Sequence, residues 1–350
     1  MKMYLKIIPS IVLIVTVYST ILQAFPDGPY FGQTPPELTA EVFAPGLISL
    51  TGRRDTKIVF SPDGNECFIG TVLNHTFTLL YTKYEDGNWP DPVQASFLGS
   101  ADKREPFISP NGQKLFFSRN ADIYVSSKVG GVWSSPSKLP NPVSTGAEEW
   151  HPTVTMDGTL YFCTSRNSPP GGYNIYRSVP VSGQYTQVEQ LDNTINSSYG
   201  AWDPYISPNE TYMIFSTNRP DGYGKVDQHI SYLKDDGTWS YPVNLGSAIN
   251  SSGIDYGSYI SYDDKYYFFS RPAGWGPDIE ADIYWVDARA IFPVCDFTRD
   301  GSIDFDDLDE LAVFWLTGES SKDIAPETPD GIVNFLDFAV LAQHWLETAY

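Results

Sequence analysis

The sequence predicts an all-β five-bladed β-propeller followed by a small α-helical domain. Three observations carry that prediction. A Pro/Asp/Gly turn flanked by apolar strands recurs five times at a near-constant interval. Proline (27) and glycine (28) are frequent, aromatics reach 15% and charged residues only 19%, a profile of many short strands and turns rather than of a helical bundle. At the C-terminus a segment is written twice, thirty residues apart, with apolar residues at helical spacing.

The chain of 350 residues has room for one large or two ordinary domains. Its net charge of −21 argues against a nucleic-acid partner, because only 22 Lys and Arg are available to neutralise phosphates. Lys2 and Lys6 precede an apolar stretch from Ile7 to Leu22 that ends at Gln23-Ala24. This reads as a secretory signal peptide over residues 1–24. Pro9 and the polar residues around Tyr18 keep the uninterrupted apolar run below the roughly 20 residues that a membrane span needs, so no span is expected after cleavage. The location implied is secreted, with the periplasm as the alternative. Cys67, Cys163 and Cys295 are too few and too scattered for a disulfide framework, and the four histidines show no zinc spacing. A Gly-x-Ser-x-Gly elbow, a phosphate loop and a His-Glu-x-x-His are all absent.

The five turns are Ser61-Pro-Asp-Gly64, Ser109-Pro-Asn-Gly112, Thr155-Met-Asp-Gly158, Ser207-Pro-Asn-Glu210 and Ser261-Tyr-Asp-Asp264, at spacings of 48, 46, 52 and 54 residues. Proline sets one backbone angle of such a turn, and Gly or Asn tolerates the left-handed one. An apolar strand precedes each turn and an aromatic strand follows it, as in Leu115-Phe-Phe-Ser118 and Tyr266-Tyr-Phe-Phe-Ser270. A third strand comes next, Asp122-Ile-Tyr-Val125 in the second unit and Asp282-Ile-Tyr-Trp285 in the fifth. Units one to four continue through a Trp- or Tyr-bearing turn, such as Trp89-Pro-Asp-Pro-Val93, into a fourth strand. Four strands repeated at about 50 residues are the signature of a propeller blade. Unit five lacks its fourth strand, and the segment from Glu37 to Leu47 is expected to supply it, closing the ring and covering an exposed edge.

The Ser-Pro-Asp-Gly turn and the Asp-Ile-Tyr strand resemble the WD40-like repeats of the TolB family over residues 37–291. The propeller domain is placed at 25–291. The resemblance implies the fold and leaves function open, since propellers host binding modules, lyases and hydrolases alike.

Residues 292–350 form the second predicted domain. From Pro293 to Tyr350 there are 13 Asp and Glu against Arg299 and Lys322, a local charge of −11. In its first copy Asp296, Thr298, Asp300, Asp304 and Asp307 occupy positions 1, 3, 5, 9 and 12 of a calcium loop. Gly301 stands at the sharp turn, and Ser302 would contribute its carbonyl. In the second copy Asp330, Asn334 and Asp337 occupy positions 5, 9 and 12, but position 1 is Pro326, which has no side-chain oxygen. Either that second site is crippled or a longer loop brings in Asp323. One calcium ion is therefore expected, and a second only on the latter reading. Leu308, Leu311, Ala312 and Trp315 follow the first loop at helical spacing.

Two loop–helix units of this kind resemble a type I dockerin, an EF-hand-like module, over residues 294–347. The resemblance implies that calcium folds the segment and that it attaches a secreted protein, often one of polysaccharide breakdown, to a cohesin-bearing partner. Family recognition positions fall on Phe305-Asp306 and Phe335-Leu336. These are not the hydroxyl pairs of cellulosomal dockerins, so self-association or a cell-surface protein fits as well as a cohesin-like one.

Ligands of propellers sit where loops converge at one mouth of the channel. The residues just before each first strand are therefore the candidates: Asp55, Arg104, Glu105, Glu149, Trp150, His151, Trp202, Asp203, Asp255 and Tyr256. Among these, Glu105, Glu149, Trp150, His151, Trp202 and Asp203 are the expected ligand-binding set, for a glycan or a peptide. Arg119, Arg166, Arg219 and Arg271 form a second ring, which would serve inter-blade bonding or the ligand. Two functions stay open: a secreted propeller binding module, or a glycoside hydrolase or lyase using carboxylates from different blades, one with a raised pKa.

Overall fold

The computed structural model describes residues 29–168, 172–274, 276, 278–318, 322–325 and 331–348. The expected leader (1–24) and the expected calcium ligand Asp330 lie outside them.

Each sequence unit folds as an antiparallel meander. The first comprises β2 (Arg54–Phe60), β3 (Glu66–Leu73), β4 (Thr76–Lys83) and β5 (Val93–Gln94), after β1 (Glu41–Val42). The second comprises β6 (Lys103–Ile108), β7 (Lys114–Arg119), β8 (Asp122–Val129) and β10 (Ser137–Lys138), with β9 (Val132–Trp133) turning back on β8. The third comprises β11 (Glu149–Val154), β12 (Leu160–Thr164), β13 (Asn174–Ser178) and β14 (Glu189–Gln190). The fourth comprises β15 (Trp202–Ile206), β16 (Tyr212–Thr217), β17 (Asp227–Tyr232) and β18 (Val243–Asn244). The fifth comprises β19 (Tyr256–Ile260), β20 (Tyr266–Pro272) and β21 (Ala281–Asp287). Inner strands are buried on both faces, as in β2 and β19, while the outermost strands are two residues long. Such short edges offer little template for stray pairing. The arrangement is propeller-like.

The N-terminal strand completes the last meander, as its sequence leads one to expect. β1 pairs antiparallel with β21, Glu41 opposite Trp285, and β2 touches β21 in parallel at Arg54 and Ala281, joining first and last units in one eight-stranded sheet. Phe43, fully buried, anchors the join. Its amide donates to the Ile283 carbonyl (2.8 Å), and its ring meets Trp285 (5.0 Å) and Phe268 (5.2 Å) edge-on. Cys67, Cys163 and Cys295 are buried free thiols. Among the described residues no helix is long and apolar enough to cross a membrane.

After the last strand come α1 (Phe305–Val313) and α2 (Phe335–Gln343), related by the thirty-residue repeat. Asp304 and Asn334 cap the helices, and Asp307 and Asp337 complete the two capping boxes. Ile303 exchanges backbone bonds with residues 346 and 347, and Val333 does the same with residues 316 and 317. Phe305 packs edge-on against Trp345 (5.1 Å) and Phe335 against Trp315 (4.9 Å). Ile303, Leu311, Val333 and Leu341 make the small core between the helices.

Replacing Phe43 with alanine should leave a cavity among aromatic rings at the join and cost about 3–5 kcal/mol. Denaturant unfolding measures it; a loss below about 1 kcal/mol would show that closure does not depend on this ring.

Candidate functional site

Counting back from the five turns reveals how the inner strands expose side chains. Each inner strand carries a β-bulge, seen as a register shift between Asp55 and Lys57, Arg104 and Phe107, Trp150 and Thr153, Trp202 and Tyr205, and Tyr256 and Tyr259. Four residues before the turn stand Lys57, Glu105, His151, Asp203 and Gly257. Glu105 (φ 48°), His151 (φ 54°), Asp203 (φ 53°) and Gly257 (φ 77°) share the left-handed conformation. A non-glycine residue held there costs on the order of 1–3 kcal/mol, and such strain gathers at functional sites. Proline follows each of the three non-glycine residues: Pro106, Pro152 and Pro204. Gly257 has a packing reason of its own, because a Cβ would stand 2.5 Å from the Thr56 carbonyl oxygen.

The bulges bring four titratable groups from four units into mutual electrostatic range. His151 Nδ1 forms an ion pair with Asp203 Oδ1. Burial works to lower the His151 pKa, but Asp203 and Glu105 outweigh it, and the net shift is upward. Burial raises the pKa of Glu105, against the opposing charges of His151, Arg104 and Lys57. Lys57 is pushed down by burial, with Asp203 and Glu105 pulling the other way. Among the described residues Lys57 Nζ and Glu105 Oε2 have no hydrogen-bond partner, although both are buried. Lys57 was missed by the sequence reading, which took Asp55 from the same strand. The signal that finds it is its equivalence to Glu105, four residues before the turn.

The remaining candidates separate into rim and wall. Trp150 and Trp202 are half-buried beside His151 and Asp203. Trp150 donates from Nε1 to Glu148 (3.3 Å), and the Arg104 guanidinium lies 4.9 Å from its ring. Trp202 packs on the Val226, Ile254 and Tyr256 cluster. Glu149 goes into the wall instead. Its carboxylate, fully buried, takes Arg166 (2.9 Å) and the Thr145 hydroxyl (2.6 Å). Asp55 with Arg53 (2.8 Å) and Asp255 with Arg271 (2.7 Å) repeat that pairing at the equivalent positions. Arg166, Arg219 and Arg271 donate to the carbonyls of Pro142, Thr194 and Ile249, so these three arginines hold the turns that precede the inner strands of the third, fourth and fifth units.

Two clefts, of about 560 and 600 Å³, lie between the second and third units, and neither is lined by the four bulge residues. The smaller is lined by Glu148 and Tyr173, next to Trp150.

In the first expected calcium loop, Asp296 accepts from the amides of Asp300 and Gly301 (both 3.1 Å), Asp300 from that of Ser302 (2.8 Å), and Asp307 from those of Thr298 (3.0 Å) and Asp304 (2.9 Å). Asp304 accepts from the amide of Asp306 (2.9 Å). Burial, with Asp307 and Asp300, pushes the Asp296 carboxyl up to about 7, and burial also raises Asp300 and Asp307. Among the described residues no three His, Cys, Asp or Glu side chains converge as a metal cluster. In the second loop Asp323 accepts from the Gly331 amide (2.6 Å), the role Asp296 plays toward Gly301, and Asp337 accepts from Ile324 (2.6 Å) and Ala325 (2.9 Å). Asn334 uses its side chain to cap α2, accepting from Leu336 (2.8 Å).

No family model matches the chain, and no curated protein matches it. Solved structures do. A TolB protein from Agrobacterium tumefaciens is 16% identical with a TM-score of 0.44, covering 69% of this chain and 79% of that one. A TolB from Acinetobacter baumannii is 16% identical with a TM-score of 0.41, covering 67% and 57%. An α-L-arabinofuranosidase from Podospora anserina, solved with cellotriose, is 14% identical with a TM-score of 0.46, covering 72% and 98%.

The ion pair makes a pH prediction. Because the His151 pKa is raised in the fold, its contribution to stability is complete below the ordinary value of 6.5 and is lost as pH rises through the higher folded value. In Asp203→Asn the imidazole should titrate lower than in the wild type, and the stability gap between the two should shrink with rising pH. Histidine NMR titration reads the first and thermal melting the second; an unmoved midpoint would refute the pairing.

Proposed function

We propose that the five meanders form a closed five-bladed propeller and that the protein is a secreted binding module holding a glycan or an extracellular protein segment where Glu105, His151 and Asp203 meet. One observation carries this reading: Lys57 Nζ and Glu105 Oε2 are buried without hydrogen-bond partners among the described residues, in electrostatic reach of the His151–Asp203 pair. An unsatisfied buried polar atom costs about 1–3 kcal/mol, and the hydroxyls of a bound sugar would supply partners. Trp150 and Trp202 would offer ring faces for stacking.

Glycoside hydrolysis is the second reading, and the sorting of the carboxylates favours it. Of Asp55, Glu105, Glu149, Asp203 and Asp255, three are tied up by arginines, which leaves Glu105 and Asp203. The raised pKa of buried Glu105 suits a general acid, while Asp203 would be the partner carboxylate. A glycan array combined with assay of reducing-sugar release separates the two. Binding without turnover supports the module; turnover abolished in Glu105→Gln and Asp203→Asn supports the hydrolase. A chain that binds nothing on the array, and whose Asp203→Asn variant behaves identically, would overturn both.

We assign the C-terminal loop–helix pair to calcium-dependent attachment to a cohesin-like or cell-surface protein. The donor chemistry fits: burial raises the proton affinity of Asp296, Asp300 and Asp307, Asp307 and Asp300 add to the rise at Asp296, and a hard cation would offset both effects. Asp304, the Thr298 hydroxyl and the Ser302 carbonyl would complete an oxygen set. Asp337, Asn334 and Asp323 belong to the second loop together with Asp330. Phe305 (71% exposed) and Phe335 (75%) stand at the equivalent recognition positions. Calorimetric titration of the chelator-stripped full chain with calcium should show a tight site that Asp296→Ala removes. An unchanged isotherm would refute the ligand assignment.

A further inference from the structure

We propose that the cleft bordered by Glu148 and Tyr173 is an outer subsite for a neutral oligosaccharide whose other end reaches His151 and Asp203; the inference rests on the glycan-binding reading. The cleft holds about 560 Å³, inside the range of roughly 300–1,000 Å³ usual for small-molecule sites. It adjoins the bulge residues through one carboxylate. Glu148 Oε2 accepts from Trp150 Nε1 (3.3 Å) and from the Tyr173 hydroxyl, so a single oxygen orients two aromatic rings. Trp150 adjoins His151 in sequence, and Tyr173 lines the cleft. The two rings thus share one carboxylate at the cleft between the second and third units, and one of them stands next to His151 in the chain.

Hydrogen bonds and charge both shape the cleft. The Glu148 amide donates to Ser165 Oγ (3.0 Å), and the Thr145 hydroxyl donates to buried Glu149 (2.6 Å), so the loop over residues 145–148 is held at both ends. Among the described residues the cleft is lined by carboxylates from Asp122 and Glu148 and by no Lys or Arg. Asp122 is already paired with Lys138 (2.7 Å). An acidic polymer would meet the Glu148 carboxylate, whereas neutral hydroxyls find acceptors in the carboxylates and a ring in Tyr173. A neutral sugar chain is the class that fits.

The test is a length series on the full chain, using neutral oligosaccharides from disaccharide to hexasaccharide of the linkage the array identifies, with cello- and xylo-oligosaccharides as probes if the array is silent. Wild-type affinity should rise about tenfold or more along the series, a step of about 1.4 kcal/mol. Tyr173→Ala should flatten that rise and leave disaccharide affinity unchanged, while Asp203→Asn should weaken every length. Affinity independent of length, a Tyr173→Ala effect equal at all lengths, or tighter binding of a uronic-acid oligomer would each overturn the subsite. Absence of binding at every length in the wild type, with Asp203→Asn indistinguishable from it, would instead sink the glycan reading beneath it.

Discussion

Pairing of the first strands with the last is the constraint from which the rest of the structure follows. Inner strands buried on both faces, with outer strands of only two residues, leave no meander self-sufficient. Each must lean on its neighbours, and the fifth lacks an outer strand of its own. The join at Glu41–Trp285, backed by Phe43 and by the parallel contact between Arg54 and Ala281, supplies it. With first and last units in one sheet, the bulges of four inner strands bring Lys57, Glu105, His151 and Asp203 into electrostatic range of one another. Lys57, Glu105 and Asp203 are buried there, each on an inner strand.

The meanders were legible because turn chemistry is local: Ser-Pro-Asp-Gly and its variants mark the strand ends wherever they occur. The sites were legible only in part, and the reason is the bulge. Glu149 and Glu105 are the same residue type in equivalent strands, two positions apart in register. In an unbroken strand both positions would face the same side. The extra residue re-aims one of them, so Glu105 reaches the His151–Asp203 pair while Glu149 turns to Arg166. Sequence spacing alone cannot show a bulge. The Pro after Glu105, His151 and Asp203 was a usable hint, since proline biases the residue before it away from the right-handed helical region.

The C-terminal duplication shows the complementary case. Its helix caps, its paired aromatics and its two backbone exchanges obey the thirty-residue repeat without deviation. The loops do not. Gly301 is bonded by an aspartate five residues earlier, Gly331 by one eight residues earlier, so the second loop is longer and Asp323 stands where Pro326 would have to. Helical periodicity transmits register faithfully, whereas a loop can absorb three extra residues and restore the same hydrogen bond.

The attachment of that segment separates its role from that of the bulge residues. Arg299, within the first loop, donates to Asp264 Oδ1 (2.8 Å) and its carbonyl (2.6 Å), and its guanidinium lies 4.4 Å from the Phe292 ring. Gly301 lies so close to Tyr232 that a Cβ would meet its ring at 2.7 Å. Asp264 belongs to the turn of the fifth unit, at the far end of the inner strand from the rim residues Trp150 and Trp202 in their own strands. The loop–helix pair therefore contacts the turn ends of the fourth and fifth units. Arg299 and Gly301, which make these contacts, lie in the same loop as Asp296, Asp300 and Asp307, so the packing of the segment on the sheets and the conformation of that loop share the same residues.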